Sequence, residues 1–284
     1  MGMEIRWAQR PDLPQIHSLW KQVFGDAPGV QAALMSGFGG IQQVLLLLED
    51  GVVRSMTCLP VVTLRRERAG EERIAYLYAL ATHPEARGRG LAARLMARGE
   101  ELLAKEGCEG VALVPAQPSL FDYYGRLGYA PAFFHCRWEG TAEGLPAPQS
   151  VPVQVDAEAY QRLRAASLSG MTWVDYPLPM LRLQELFSRL THGGLYRLEL
   201  PGGTGCAVVE GRGKEMWVKE LLCAPGDGRE ALAQLVQLQP AVARWRVCSP
   251  TEVGLGGQRC PFGVFHGRNG QAPVESAYLG LAFD

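Results

Sequence analysis

The sequence predicts a mixed α/β fold laid out in two domains, on three observations. Apolar, β-rich runs alternate with segments of helical periodicity through the first half. A loop of glycine and arginine, Arg87-Gly88-Arg89-Gly90, stands between one such run and one such helix. A stretch rich in Pro, Gly, Ser and Ala, Glu139 to Pro152, then divides the 284 residues into halves of ordinary domain size, 1–140 and 151–284.

Taken in order, Glu4 to Ala8 alternates as a short strand, and Asp12 offers a side-chain oxygen to cap the helix that follows. Leu13, Ile16, Leu19, Trp20 and Val23 recur at helical spacing until Phe24-Gly25-Asp26 ends the pattern. Gln42 to Leu64 reads as a hairpin turning at Asp50-Gly51. Glu49 and Asp50 there are a carboxylate pair with two readings, a base or a solvated turn. Arg65 to Arg73 is a charged loop. Ile74 to Thr82 is the central strand, on which Tyr76 and Tyr78 share a face, toward either the core or a substrate floor.

The loop after that strand carries the chemistry. Backbone N–H groups from Gly88 onward would point out of the first helical turn without internal partners, and Gly88 and Gly90 lack a Cβ that would hold a ligand away. Arg87 and Arg89 add positive charge and bidentate reach beside the positive end of the helix dipole. The expected guest is a diphosphate. The helix beyond has an apolar stripe of Leu91, Leu95, Met96, Leu102 and Leu103 and ends at Gly107. Val111 to Val114 is the next strand, and Leu120 to Leu127 a short helix closed by Gly128. Tyr123 and Tyr124 on it point about 100° apart, so only one can face a given site.

Arg87-Gly88-Arg89-Gly90-Leu91-Ala92 fits the R-x-x-G-x-A form of the pyrophosphate loop in the Gcn5-related N-acetyltransferases, and LVPAQPSLFDYYGRLGYAPAF resembles that family's next strand and helix. The resemblance implies the acyl-CoA N-acyltransferase fold, a mixed and mostly antiparallel sheet flanked by helices, with acetyl-CoA as cosubstrate. It implies a cofactor site of Arg87, Gly88, Arg89, Gly90, Leu91 and Ala92, with the backbone of Leu80, Ala81 and Thr82 bonding the pantetheine arm. It places Tyr124 as the general acid for the departing thiolate, a role that a phenol can fill. Pro115-Ala116-Gln117-Pro118 stands where the family often has an asparagine.

Composition bounds the rest. A net charge of −1 leaves no basic, aromatic-interleaved stripe, which argues against nucleic acid. Apolar runs such as Val44 to Leu48 are too short to span a bilayer, and MGMEIRWAQR has no signal-like apolar region, so a cytoplasmic protein without membrane contact is expected. Seven scattered cysteines without a C-x-x-C pair, and five histidines without ligand spacing, predict buried thiols and no metal site.

Sliding the second half by 141 residues sets Trp217 to Pro225 against Tyr76 to Pro84 and Leu232 against Leu91 without a gap. In that register Gly88 becomes Arg229, Arg89 becomes Glu230 and Gly90 becomes Ala231. The second domain therefore reads as a degenerate copy without the cradle, with a helix expected over 229–238 and strands over 194–199, 205–210, 216–223 and 243–248. The whole chain looks like a shortened relative of the enhanced-intracellular-survival group. That resemblance implies a chain-terminal carboxylate, here Asp284, as one candidate base. Glu49, Tyr78, His83 and an ordered water chain are the others. The function implied is transfer of an acetyl group to a primary amine of a small molecule or peptide by direct attack. The alternative is a non-catalytic acyl-CoA-binding sensor or partner-recruiting module, which would bind acetyl-CoA without releasing thiol.

Overall fold

The structure, a computed structural model, describes residues 2–67, 70–268 and 277–283. The first half runs β1 (Met3–Trp7), α1 (Leu13–Phe24), α2 (Pro28–Gly37), β2 (Val44–Glu49), β3 (Val52–Cys58), β4 (Val61–Arg66), β5 (Gly70–Tyr76), β6 (Tyr78–Thr82), α3 (Leu91–Lys105), β7 (Gly110–Leu113), α4 (Ser119–Gly125) and β8 (Ala130–Gly140). The second runs β9 (Val153–Val155), α5 (Ala157–Ser167), β10 (Trp173–Asp175), α6 (Leu178–Leu190), β11 (Gly194–Leu200), β12 (Gly203–Arg212), β13 (Glu215–Leu222), α7 (Gly228–Val236), β14 (Arg244–Ser249) and β15 (Gln258–Gly267). This mixed architecture is the predicted one. The helix and four strands expected in the rear half are α7, β11, β12, β13 and β14.

Two compact units result, and they do not follow the linear split 1–140 and 151–284. The first holds residues 2–64, 71–130 and 264–268, and the second holds 65–67, 70, 131–263 and 277–283. β8 after Ala130 therefore belongs to the second unit, while the last residues of β15 return to the first, where Val264–Gly267 pair antiparallel with Gly110–Leu113. Alternation along a strand says nothing about its partner, so a linker was the only boundary visible beforehand.

In the first unit β1, β2, β3 and β6 form an antiparallel sheet in that order. β2 is a continuous apolar run because both of its faces are covered, all five residues Val44–Leu48 being buried. Leu45 and Leu47 meet Leu91, Leu95 and Leu103 of α3 in one cluster. Truncating the fully buried Leu95 to Ala would cost about 2–5 kcal/mol. Gly99 sits mid-helix because an added Cβ would stand 3.0 Å from Leu59 Cδ1 and 3.2 Å from Leu45 Cδ2.

The expected strand from Ile74 to Thr82 is in fact two. Leu77 lies between β5 and β6, and the N–H groups of Tyr76 and Leu77 go to Pro60 O and Ala112 O, each at 2.8 Å. Ala79 takes φ 53°, a left-handed conformation rare outside glycine. β5 pairs in parallel with β7, whereas β6 is the last strand of its own sheet. The charged loop Arg65–Arg73 is shorter than expected, since β4 and β5 run into it. Asp12 does not cap α1 through its side chain. Its carboxylate instead takes Arg6 at 2.6 and 2.9 Å and the N–H of Gln9 at 2.7 Å, because a turn of 3-10 helix before α1 points it backward.

In the second unit β9, β11, β12 and β13 are antiparallel neighbours in the order β13-β12-β11-β9, and β14 joins β13 in parallel. The described tail, 277–283, is buried. Ala277 bridges to Phe133 and Tyr278 to Trp173. Arg164 of α5, 1% exposed, donates to both oxygens of the fully buried Glu220 at 2.8 and 3.1 Å and to Leu279 O at 3.2 Å. Tyr160 donates to the same carboxylate at 2.6 Å, and Tyr176 to Leu281 O at 2.9 Å. Burial pulls the Arg164 pKa down, but the Glu220 charge more than restores it, for a net rise.

Candidate functional site

The site is built on the free edge of β6. Buried Ser55 on β3 donates its hydroxyl to Ala81 O at 2.7 Å, and His83 N donates to Arg54 O at 2.9 Å. Ala81 and His83 thus turn their peptide groups toward β3. By strand alternation Leu80 and Thr82 turn theirs outward, where no strand of the sheet follows among the described residues. Of the three expected backbone contacts, Ala81 therefore faces the wrong way.

A single 3-10 turn, Pro84–Ala86, carries the chain from β6 to the loop. Arg87 reaches back from it, its Nε donating to Thr82 O at 3.3 Å. Gly88 and Gly90 both take left-handed φ, 75° and 73°, and nothing lies within 4 Å of where a Cβ would stand at either. Gly90 is the N-cap of α3 and brings no capping side chain. The N–H groups of Leu91 and Ala92 therefore open toward space that an anion can enter. The backbone of the loop is thus open over both glycines.

Its arginines are deployed differently. Arg89 is bidentate on Glu49, with Nη1 at 3.0 Å from Oε2. Those hydrogen bonds hold the Glu49 carboxyl below its usual range despite some desolvation, and Arg54 and Arg94 add to the effect. A carboxylate so held is a weaker base than a free one, which counts against the base reading of Glu49. Asp50 makes the turn, accepting from Gly2 N at 2.9 Å. Arg54, which sequence reasoning missed, approaches Glu49 Oε2 at 3.7 Å. It is the extra residue at a bulge in the β2–β3 ladder between Leu47 and Leu48, and periodicity cannot show a bulge.

Tyr124 is 8% exposed and packs in the cluster that holds Leu77 and Leu91, with Leu80 against it. Its ring is edge-on to Tyr123 at 5.2 Å and 5.9 Å from Tyr129. Burial pushes its pKa up to about 12, with Tyr123 adding to the rise. Its hydroxyl makes no hydrogen bond to another described residue. Tyr129 is held separately, donating to Glu100 at 2.6 Å, and Glu100 also meets His266 Nδ1 at 3.1 Å. Tyr76 is buried, while Tyr78 rests against Phe38 at 4.8 Å. His83 keeps a buried Nδ1 without a hydrogen bond. Asp284 lies outside the described residues. Among those residues no group of His, Cys, Asp and Glu could hold a metal, no helix is long and apolar enough to cross a membrane, and all seven cysteines are free.

Residues 4–132, which contain the cradle, β6 and Tyr124, match the sequence profile of the acetyltransferase (GNAT) domain. No curated protein sequence matches the chain significantly. Among solved structures, a GCN5-related N-acetyltransferase from Anabaena variabilis superposes with a TM-score of 0.73 at 15% identity, over 93% of this chain and 72% of that one. A second, from Kribbella flavida, gives 0.70 at 17% identity over 94% and 72%. Eis1 from Mycobacterium abscessus gives 0.66 at 15% identity over 94% and 73%. At such identities the likeness is one of fold. The profile match places residues 4–132 as an acetyltransferase domain of the GNAT family.

Proposed function

We propose that the chain is an acetyl-CoA-dependent N-acetyltransferase acting on a primary amine of a small molecule or peptide. The observation that carries this reading is the pair of left-handed glycines opening the first turn of α3 beside the free edge of β6. The N–H groups of Leu91 and Ala92 would hold the diphosphate, with Arg87 and Arg89 neutralising it. Leu80 and Thr82 would bond the pantetheine amides as an added strand does. The cosubstrate supplies an activated acetyl thioester.

The chain's own residues then have three tasks. The open edge at Leu80 fixes the acyl group by backbone donors already in place, which avoids reorganisation during the reaction. Tyr124 keeps its proton at neutral pH and supplies it to the departing sulfur. Tyr78 and His83, at the two ends of β6, are the described candidates to accept the amine proton. No cysteine is needed as a nucleophile, and burial pushes the thiol of Cys58, on neighbouring β3, up to about 12. The second unit serves as a copy that has lost the cradle and takes no cosubstrate.

The experiment is free-thiol release from acetyl-CoA with a panel of amines spanning aminoglycosides, polyamines, lysine peptides and amino acids. Amine-dependent release that falls in Tyr124→Phe supports the reading. Tight coenzyme A binding with no release on any amine would sink it.

A further inference from the structure

Glu49 ends β2 and is the one carboxylate in contact with the guanidinium of Arg89 among the described residues. Both terminal nitrogens of Arg89 are turned onto it. Arg54 shares the same carboxylate at 3.7 Å, and Arg94 acts on it through its field. At that distance Arg54 Nε forms no hydrogen bond, although it is buried. One internal anion is thus spread over three cations at the mouth of an anion cradle.

The pair is not there for stability. The Arg89 side chain is 50% exposed and that of Glu49 20%, and exposed ion pairs contribute little to folding. A guanidinium fork accepts carboxylate and phosphate with the same planar geometry, so the two can exchange on Arg89. Once Arg89 turns to a phosphate, Glu49 loses its closest cation, keeps only Arg54 at 3.7 Å and the field of Arg94, and stands as a less compensated negative charge beside a polyanion.

We infer that Glu49 is a built-in competitor of the anionic guest, occupying Arg89 when the cradle is empty and lowering the affinity for coenzyme A so that product leaves. This rests on the reading that the N-terminus of α3 binds coenzyme A. The test is calorimetric Kd for coenzyme A with the full chain, as wild type, Glu49→Gln, Arg89→Gln, the double variant and Gly90→Glu. Glu49→Gln is expected to bind about three- to tenfold more tightly, with the gain shrinking at high salt and the product-inhibition constant falling by the same factor. In the double variant the gain disappears, because the fork that Glu49 occupied is gone.

Unchanged or weaker binding by Glu49→Gln, with binding still lost in Gly90→Glu, overturns the competitor role and leaves the cradle standing. A gain that survives in the double variant overturns Arg89 as its carrier. Undiminished binding by Gly90→Glu, or no binding by any variant, overturns the cradle itself and this inference with it.

Discussion

The two units present the N-terminus of a helix in opposite ways. At α3 two glycines in left-handed conformation leave the first turn bare, and the nearby ions sit in solvent reach. At α7 the same region is sealed. Gly228 is held against Val253, whose carbonyl would stand 2.6 Å from an added Cβ. Glu230 is buried and accepts from Gln149 N at 2.7 Å and Gln234 Nε2 at 2.8 Å, and Arg229 bonds Gly144 O. Where the first unit leaves its charge in solvent reach, the second buries a carboxylate whose Oε1 takes two hydrogen bonds and whose Oε2 takes none. A helix N-terminus is open to a ligand or closed to it according to what covers its four orphan N–H groups.

That contrast can be broken by substitution, and the largest effect belongs to the sealed unit. Arg164→Met strands the buried Glu220 and should lower stability by about 3–5 kcal/mol in denaturant unfolding. The affinity of surviving folded protein for coenzyme A should be unchanged. A loss under 1 kcal/mol would show that the second unit does not depend on internal ion pairing.

Gly90→Glu places a side chain at φ 73° and a negative charge in the cradle, and should weaken coenzyme A binding about a hundredfold by calorimetry. The converse change, Ala231→Gly, should leave the stoichiometry at one per chain. A second equivalent bound would mean that α7 is not sealed after all.

Tyr124→Phe should lower kcat by about 10- to 100-fold with little change in the KM for acetyl-CoA. Because burial raises the Tyr124 pKa to about 12, the native state holds this proton more tightly than the unfolded chain does. The stability it contributes is full below the ordinary tyrosine pKa of about 10 and is lost as pH rises toward the folded value. The kcat profile should accordingly show no alkaline limb from Tyr124 below that range. A limb near pH 8 that vanishes in Tyr124→Phe would contradict its role as acid.

The smallest effect concerns Asp12, whose hydrogen bonds from Arg6 and from the Gln9 N–H hold its carboxyl below the usual range. The contribution is present at neutral pH and lost as pH falls through the depressed value. Asp12→Asn should cost about 1 kcal/mol at pH 7 and progressively less in acid, measured by thermal unfolding.

What could be read beforehand divides along local and non-local lines. The left-handed turn at Gly88 and Gly90 was legible because its glycines lie between a strand and a helix within a few residues, and backbone demand at such a turn is written in residue type. Tyr124 was separable from Tyr123 only by the resemblance, and the structure buries the chosen one. The kink at Leu77, the bulge at Arg54 and the direction of the Ala81 peptide groups were not legible, since each depends on a neighbouring strand. α2 went unseen because its apolar residues do not form a stripe; its buried positions include Gln31, bound to His17 and Asp26 O.

β15 carries a consequence for synthesis. The partner of Gly110–Leu113 is made more than 150 residues later in the chain, at Val264–Gly267. While the ribosome is still translating the second half, the edge of β7 has no native mate, and the acetyltransferase domain must wait as an incomplete sheet with its apolar face open to chaperones or to the wrong strand. Stalling or truncation late in the message would therefore damage the front of this protein as surely as its rear.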